Sequence, residues 1–533
     1  MVNQQLYNGL PMDGEETPPV ENRIWHWQTM ATVSELVHRM TLSEPELHLP
    51  PELWELIFAH LAGKRVLVMR LVCRRWKTIV DRKRSLWDTL SVCVRYSTTN
   101  ERFHPESLPP VTGFCVNWST IEDVDCWWPS FGERLTRIKL GYGSVTLNLV
   151  VGMLRHTPNL THLHLSRFRE TSEEEPVVDF QLERMEELYL EYSICDAFVE
   201  TFPRLRNLKM DLNEGYQEIT ARLMKFVQGT LEELDFKATP YLMKEIAKME
   251  RLKLKTLRFK GGCEFAVQLS RIQPSLEKIF LILKASTPDF CEIGKNLPDL
   301  KQLSVLIDRQ GLLEPSFLAN MSQLQKLSLE NYLFTMQLNF GPLKCPNLVE
   351  LKLNQFHLVT NSLPTFLAGS KNLQKLSLDS CVLESLLELF TTLVELPSLR
   401  HLELKYLRML NNDFNISTFQ LTTNLESLHL NDCENLTNKM VDWLATSSCR
   451  MKEVRLYRMP QVNDATIRNM CVKLPRLKKL ALLICSVMIT SAEYIVEHAH
   501  SLEYLELNGC FEFRQAMEQL LKGHHRYIEC KFP

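Results

Sequence analysis

One six-residue pattern, L-x-x-L-x-L, recurs sixteen times in this 533-residue chain and limits what it can fold into. Copies begin at Leu135, Leu160, Met185, Leu205, Leu231, Leu254, Leu276 and Leu300. They continue at Leu324, Leu348, Leu373, Leu399, Leu425, Met451, Leu477 and Leu502. Successive starts lie 20 to 26 residues apart, and four intervals after Leu373 are each 26. In a strand, alternate side chains share a face, so the fourth and sixth positions of each copy point into one core. The first leucine covers the turn leading in. One copy is too small to bury these residues, but stacked copies bury one another's. The pattern therefore predicts a solenoid over residues 135–533, with a parallel sheet on one side.

The rest of each period reads as a connector back to the next strand. VDWLATSS from Val441 and SAEYIVEHA from Ser491 have helical spacing. Proline precedes several strands, as at Pro158, Pro203, Pro298, Pro346, Pro397 and Pro475, where it stops a helix and fits an extended turn. VTGFCV from Val111 reads as a degenerate earlier strand within a connector at residues 93–134. The tail RYIECKF reads as a cap on the last repeat, because an open sheet edge must be covered.

The repeats resemble the leucine-rich-repeat family. The ninth repeat position holds Cys381, Cys433, Cys485 and Cys510. The resemblance implies that these residues bond the backbone of the turn, as Asn or Cys does in that family. It implies an α/β horseshoe of about sixteen repeats, with a parallel concave sheet and convex helices. The third and fifth positions of each copy then face the concave side. The candidate binding residues there are Tyr189, Arg258, Phe280, His429 and Arg455 at fifth positions, and Lys326, Lys375 and His401 at third positions. Phe280 is a large apolar group in a polar row and is a candidate anchor. For most of these residues the alternative is a mixed, solvated sheet face.

Ahead of the repeats, LPPELWELIFAHLAGKRVLVMRLVCRRWKTIV runs from Leu49 to Val80. Pro50 and Pro51 suit the first turn of a helix. Leu53, Leu56, Ile57 and Leu61 then fall on one helical face. Ala62-Gly63-Lys64 breaks the helix, and Val72, Trp76 and Ile79 form a second stripe, with Cys73 and Val80 beside it. A unit of about forty residues is too small to bury so many large apolar side chains alone. Another surface should cover part of them.

These residues resemble the F-box. Leu49, Pro50, Glu52, Ile57, Phe58 and Leu61 match the start of its pattern. Leu67, then Val72, Cys73, Arg74 and Trp76, match the middle, and Leu86 with Trp87 match the end. The resemblance places an all-helical F-box at residues 47–92, after an N-terminal segment at 1–46 with a short candidate helix from Ile24. It implies a non-catalytic substrate receptor of an SCF-type cullin–RING ubiquitin ligase. The F-box would dock on the Skp adaptor through Leu49, Pro50, Leu53, Ile57, Phe58, Leu61, Leu67, Val72, Cys73 and Trp76, and the repeats would hold a protein substrate. A scaffold or GTPase-regulator-like repeat protein outside any ligase is the rival reading.

Composition narrows the field. A net charge of -3 exerts no overall pull toward nucleic acid or acidic membranes. No apolar run approaches the roughly 20 residues of a spanning helix, and the start lacks a secretory signal. Fifteen cysteines without a CxxC pair then imply reduced thiols in the cytosol or nucleus rather than a disulfide framework. GxxxxGK[ST], HExxH and GxSxG are missing, and no cofactor is implied. His162 and His164 sit two apart on a strand with no third ligand in view, so no metal is expected. The basic run from Lys64 to Arg84 reads as a solvated helix face; a nuclear signal or nucleic-acid patch is the alternative. Glu173-Glu174-Glu175 reads as a solvated loop.

Overall fold

The computed structural model describes residues 49–531 apart from short stretches, the longest at 100–109, 167–175 and 412–422. The expected N-terminal segment, the run Glu173–Glu175 and Cys510 lie outside the described residues. The chain divides into two compact units, one formed by residues 1–92 with 109–113, the other by residues 93–108 with 114–533.

The first unit is helical: α1 is Pro51–Ala59, α2 is Gly63–Val72, α3 is Arg74–Arg82 and α4 is Arg84–Trp87. Pro51 opens α1, where its missing N–H costs nothing. The stretch read as one stripe from Val72 to Ile79 is divided at Cys73. That residue is extended (φ -156°, ψ 165°), and its Sγ accepts the Trp76 N–H at 3.4 Å to cap α3. Phe58, Val66, Ile79, Val80, Leu86 and Trp87 are buried. Trp54, Phe58 and Trp76 form the aromatic centre, with ring centroids 4.7 to 5.7 Å apart. The Trp87 indole N–H donates to the Val80 carbonyl at 2.9 Å.

In the second unit each of the sixteen motif copies forms one strand, from Arg137–Gly141 to Tyr504–Asn508. The strands lie side by side in chain order, parallel and in register, so that Leu351 sits beside Leu376 and Leu402 beside Leu428. The alternation works as the pattern requires. In Glu350–Asn354, Leu351 and Leu353 are buried while the flanking positions stay half-exposed. The first leucines, such as Leu348 and Leu373, are also buried. The Asn before several of them ties neighbouring repeats together. The Asn159, Asn347, Asn372 and Asn424 amides donate to backbone carbonyls of Glu133, Ser322, Pro346 and Pro397 at 2.8 to 3.0 Å.

Connectors vary. Helices fill those at Gln217–Val227, Cys263–Ile272, Asn438–Thr446, Asp464–Lys473 and Ile489–His498. Among the described residues, the repeats starting at Leu300 and Leu324 have no α-helix. The first of them has a 3-10 turn at Ser316–Asn320 instead. Here a second parallel ladder runs through Gly311–Leu313, Met336–Leu338, His357–Leu358, Val382–Ser385 and Arg408–Asn411. The convex helices expected throughout are thus partly replaced by short strands.

The turn after several strands is built by a left-handed residue at the eighth position. Gln355, Ser380, Tyr406, Asp432, Arg458 and Ile484 have φ between 48° and 64°. The first five of these donate their N–H to the carbonyl of the next strand's seventh residue, for example Asp432 to Tyr457 at 2.9 Å. Cys381 and Cys433 follow, buried, with Sγ donating to the Leu353 and Leu404 carbonyls of the preceding repeat at 3.6 and 3.4 Å. Tyr96 and Trp118 show the same left-handed turn, at 53° and 55°. They follow the strands Ser91–Arg95 and Gly113–Asn117, which lack the motif but share its geometry. At the other end, Glu529–Lys531 adds one further parallel strand beside Tyr504–Asn508.

Candidate functional site

Two surfaces carry the residues singled out from the sequence. The first is on the helical unit. Leu53, Leu56 and Ile57 are exposed on α1, and Leu71 on α2; Leu56 and Leu71 are 61% and 56% exposed. Helix spacing of three and four residues puts Leu53, Leu56 and Ile57 on one face. So many large side chains in water on one small unit mark an interaction surface. Pro50 and Cys73 are exposed, while Leu49, Leu61, Leu67, Val72 and Trp76 are half-buried. Phe58 departs from the expectation of partner contact: at 1% exposure it fills the core under Trp54 and Trp76. Leu56 and Leu71, which are not among the residues expected to meet a partner, are exposed as well, and the spacing of Leu56 from Leu53 puts it on the same face.

Part of the basic run serves the unit itself. Arg75 donates to the Leu49 carbonyl at 2.6 Å and so fixes the chain entering α1. Lys83 pairs with Glu55 at 2.8 Å, and Arg70 pairs with Asp81 while its guanidinium lies 5.4 Å from the Trp87 ring centre.

The second surface is the polar face of the long sheet. Strand register lines up the fifth positions as one row, including His164, Tyr189, Lys209, Asp235, Arg258 and Phe280. Tyr189 stacks on His164 at 4.1 Å between centroids, and the Lys209 ammonium sits 4.4 Å from the Tyr189 ring centre. Arg258 lies over Phe280 at 4.1 Å and reaches Glu233 at 3.6 Å. Lys326 and Lys375 both approach Glu350, at 3.5 and 3.0 Å. Burial works against that carboxylate's charge, but the two ammonium groups outweigh it and hold its pKa low. Arg455 and His429 both face Glu453, at 2.6 and 3.6 Å. Burial lowers the pKa of His429, against the pull of Glu453. His401 is exposed. These residues therefore form local clusters along the sheet and not one focused site.

His162 and His164 stand beside carboxylates of the next strand, Glu187 and Glu191. His162 lies 3.5 Å from Glu187, and His164 is held below its usual pKa mainly by burial, then by Lys139. Among the described residues no group of three or more His, Cys, Asp or Glu is placed to hold a metal ion. No described helix is long and apolar enough to cross a membrane.

Residues 47–88 match the family model described as the F-box domain. This chain carries an F-box. Its fold beyond the F-box is that of leucine-rich repeats, on the parallel ladder, the buried motif leucines and the cysteine-bearing turns described above. No curated protein matches the sequence. Solved structures similar to it include that of the TLR13–ssRNA13 complex, at 16% identity and a TM-score of 0.48, covering 77% of this chain and 58% of that one. The mouse RP105/MD-1 complex aligns at 17% identity and a TM-score of 0.46, covering 80% and 77%. An internalin (inlF) from Listeria monocytogenes aligns at 12% identity and a TM-score of 0.34, covering 71% and 88%. The chain thus spans less than two thirds of the first of these.

Proposed function

We propose that this protein is the substrate-receptor subunit of an SCF-type cullin–RING ubiquitin ligase. The F-box docks on the Skp adaptor, and the leucine-rich repeats hold a protein substrate. The observation that carries this reading is the F-box at residues 47–88 with Leu53, Leu56, Ile57 and Leu71 exposed on its first two helices. A receptor of this kind is not itself an enzyme. It works by proximity, raising the effective concentration of a substrate lysine near a charged ubiquitin-conjugating enzyme. Its place of action is the cytosol or the nucleus.

The test is affinity purification of the full chain, with mass spectrometry of its partners. Adaptor and cullin should co-purify with the wild type. A variant carrying Leu49→Ala, Pro50→Ala and Ile57→Ala should lose them while keeping its circular dichroism spectrum and elution volume. Adaptor binding retained by the folded variant would reject the contact assignment. Adaptor without cullin would favour the other reading, a repeat scaffold outside any ligase.

A further inference from the structure

The strands Lys278–Lys284 and Gln302–Asp308 depart from the polar character of the sheet face. Phe280 and Ile282 stand two residues apart and so project on the same side. Ile282 is 42% exposed, and Leu306, half-buried, sits directly beside it on the next strand. Phe280 is followed along its row by Ser304 and then Ser328, whose short side chains keep the face low beside the phenyl ring.

Positive charge borders this apolar patch. Arg258 lies over Phe280, Lys260 is paired in register with Ile282, and Lys237 with Lys260. Lys278 begins the strand that carries Phe280. Two nearby carboxylates are already engaged: Glu233 faces Arg258 at 3.6 Å, and Asp235 faces Lys209 at 4.0 Å. Among the described residues, Lys237, Lys260 and Lys278 have no ion-pair partner. Two ammonium groups on neighbouring strands at paired positions are destabilising.

We propose that this patch binds an extended acidic segment of a partner protein. Large apolar side chains of that segment seat on Phe280, Ile282 and Leu306, and its carboxylates meet Lys237, Lys260 and Lys278. Lying across the strands from Glu233–Lys237 to Lys326–Asn331, the segment covers four inter-strand steps, about 19 Å, the reach of roughly six extended residues. The inference deepens the reading of the repeats as the substrate-holding part and rests on it. It assigns that role to one stretch of the sheet and one substrate chemistry.

The full chain is panned against a displayed library of random peptides. The enriched peptides are then titrated by fluorescence anisotropy against the wild type, Lys260→Glu, Ile282→Asp and the control Lys479→Glu on another strand of the same face. The expected result is enrichment of Asp and Glu around large apolar residues. Affinity should fall about tenfold or more in Lys260→Glu and Ile282→Asp, stay unchanged in Lys479→Glu, and weaken with added salt. Should Ile282→Asp lose its native melting curve, Lys260→Glu alone decides. The proposal is overturned if no peptide is enriched, if enriched peptides lack acidic residues, or if binding ignores Lys260→Glu. Adaptor and cullin co-purification with the same variants reads the F-box independently. Loss of cullin in the wild type would reject the ligase reading and leave the peptide site standing, whereas normal cullin with no acidic peptide would reject only the site.

Discussion

Glu388 sits on the helix Leu386–Val394 with its side chain buried and neither carboxylate oxygen completing a hydrogen bond. Burial pushes its pKa from 4.5 up to about 7; the Asn361 backbone opposes the shift and Glu384 adds to it. A raised folded-state pKa means that the native state binds more protons than the unfolded chain between those values. The stability linked to this proton is present below the unfolded pKa and is lost as pH rises through the folded one. Between about pH 5 and pH 8 the wild type should therefore lose stability. Glu388→Gln, which cannot ionise, should lose less and be more stable at the upper end by on the order of 2–3 kcal/mol. Denaturant melts at several pH values measure this, and parallel pH profiles for the two proteins would exclude it. The sequence gives no hint of this residue, since an acidic group in a helical connector reads as solvated until packing shows which side is covered. The same limit explains Phe58, which adjoins Ile57 in a matching pattern yet turns inward.

At the scale of the element, the turn after several strands repeats one backbone device, in places with an ill-suited side chain. Ile484 holds φ at 57°, where a β-branched residue is strained by about 1–2 kcal/mol, and its side chain is exposed. Ile484→Asn should relieve much of this and raise the melting temperature by a few degrees at most, within the roughly 1 kcal/mol typical of such changes. Thermal melts of the two proteins decide, and a lower melting temperature for the variant would mean that the Ile484 side chain contributes packing that outweighs the strain. The strands themselves were legible, because buried leucines at alternating positions leave no other register. The strands Ser91–Arg95 and Gly113–Asn117 were harder. The first carries no leucine, and only its left-handed Tyr96 shows the kinship. The second ladder, including Gly311–Leu313 and Met336–Leu338, was missed since strands of two to four residues show no period. The break at Cys73 was equally hidden, a cysteine being an uncommon helix cap.

Across the whole molecule, stability in a stacked array is a sum of repeat and nearest-neighbour terms, so the position of a defect matters as much as its size. Leu353 and Leu507 fill equivalent sixth positions and are both buried, but the first lies on a central strand and the second on Tyr504–Asn508, next to the last described strand. Truncating either to Ala removes the same methyl groups and costs about 2–5 kcal/mol at its own interfaces. In the centre that loss severs the ladder. Leu353→Ala should broaden or split the denaturant transition, and hydrogen exchange should rise in the strands Lys326–Asn331 and Lys375–Asp379 on either side. Near the end the loss only frays the stack: Leu507→Ala should speed exchange from about Lys479 onward and leave the central strands protected. Equal, uniform loss of protection in both variants would show that the solenoid unfolds as one block. The defects in the repeats would then be felt at every concave cluster alike, including the Phe280 patch. A graded response instead leaves each stretch of the face its own local stability, so that one segment can be reshaped for a partner without unfolding its neighbours.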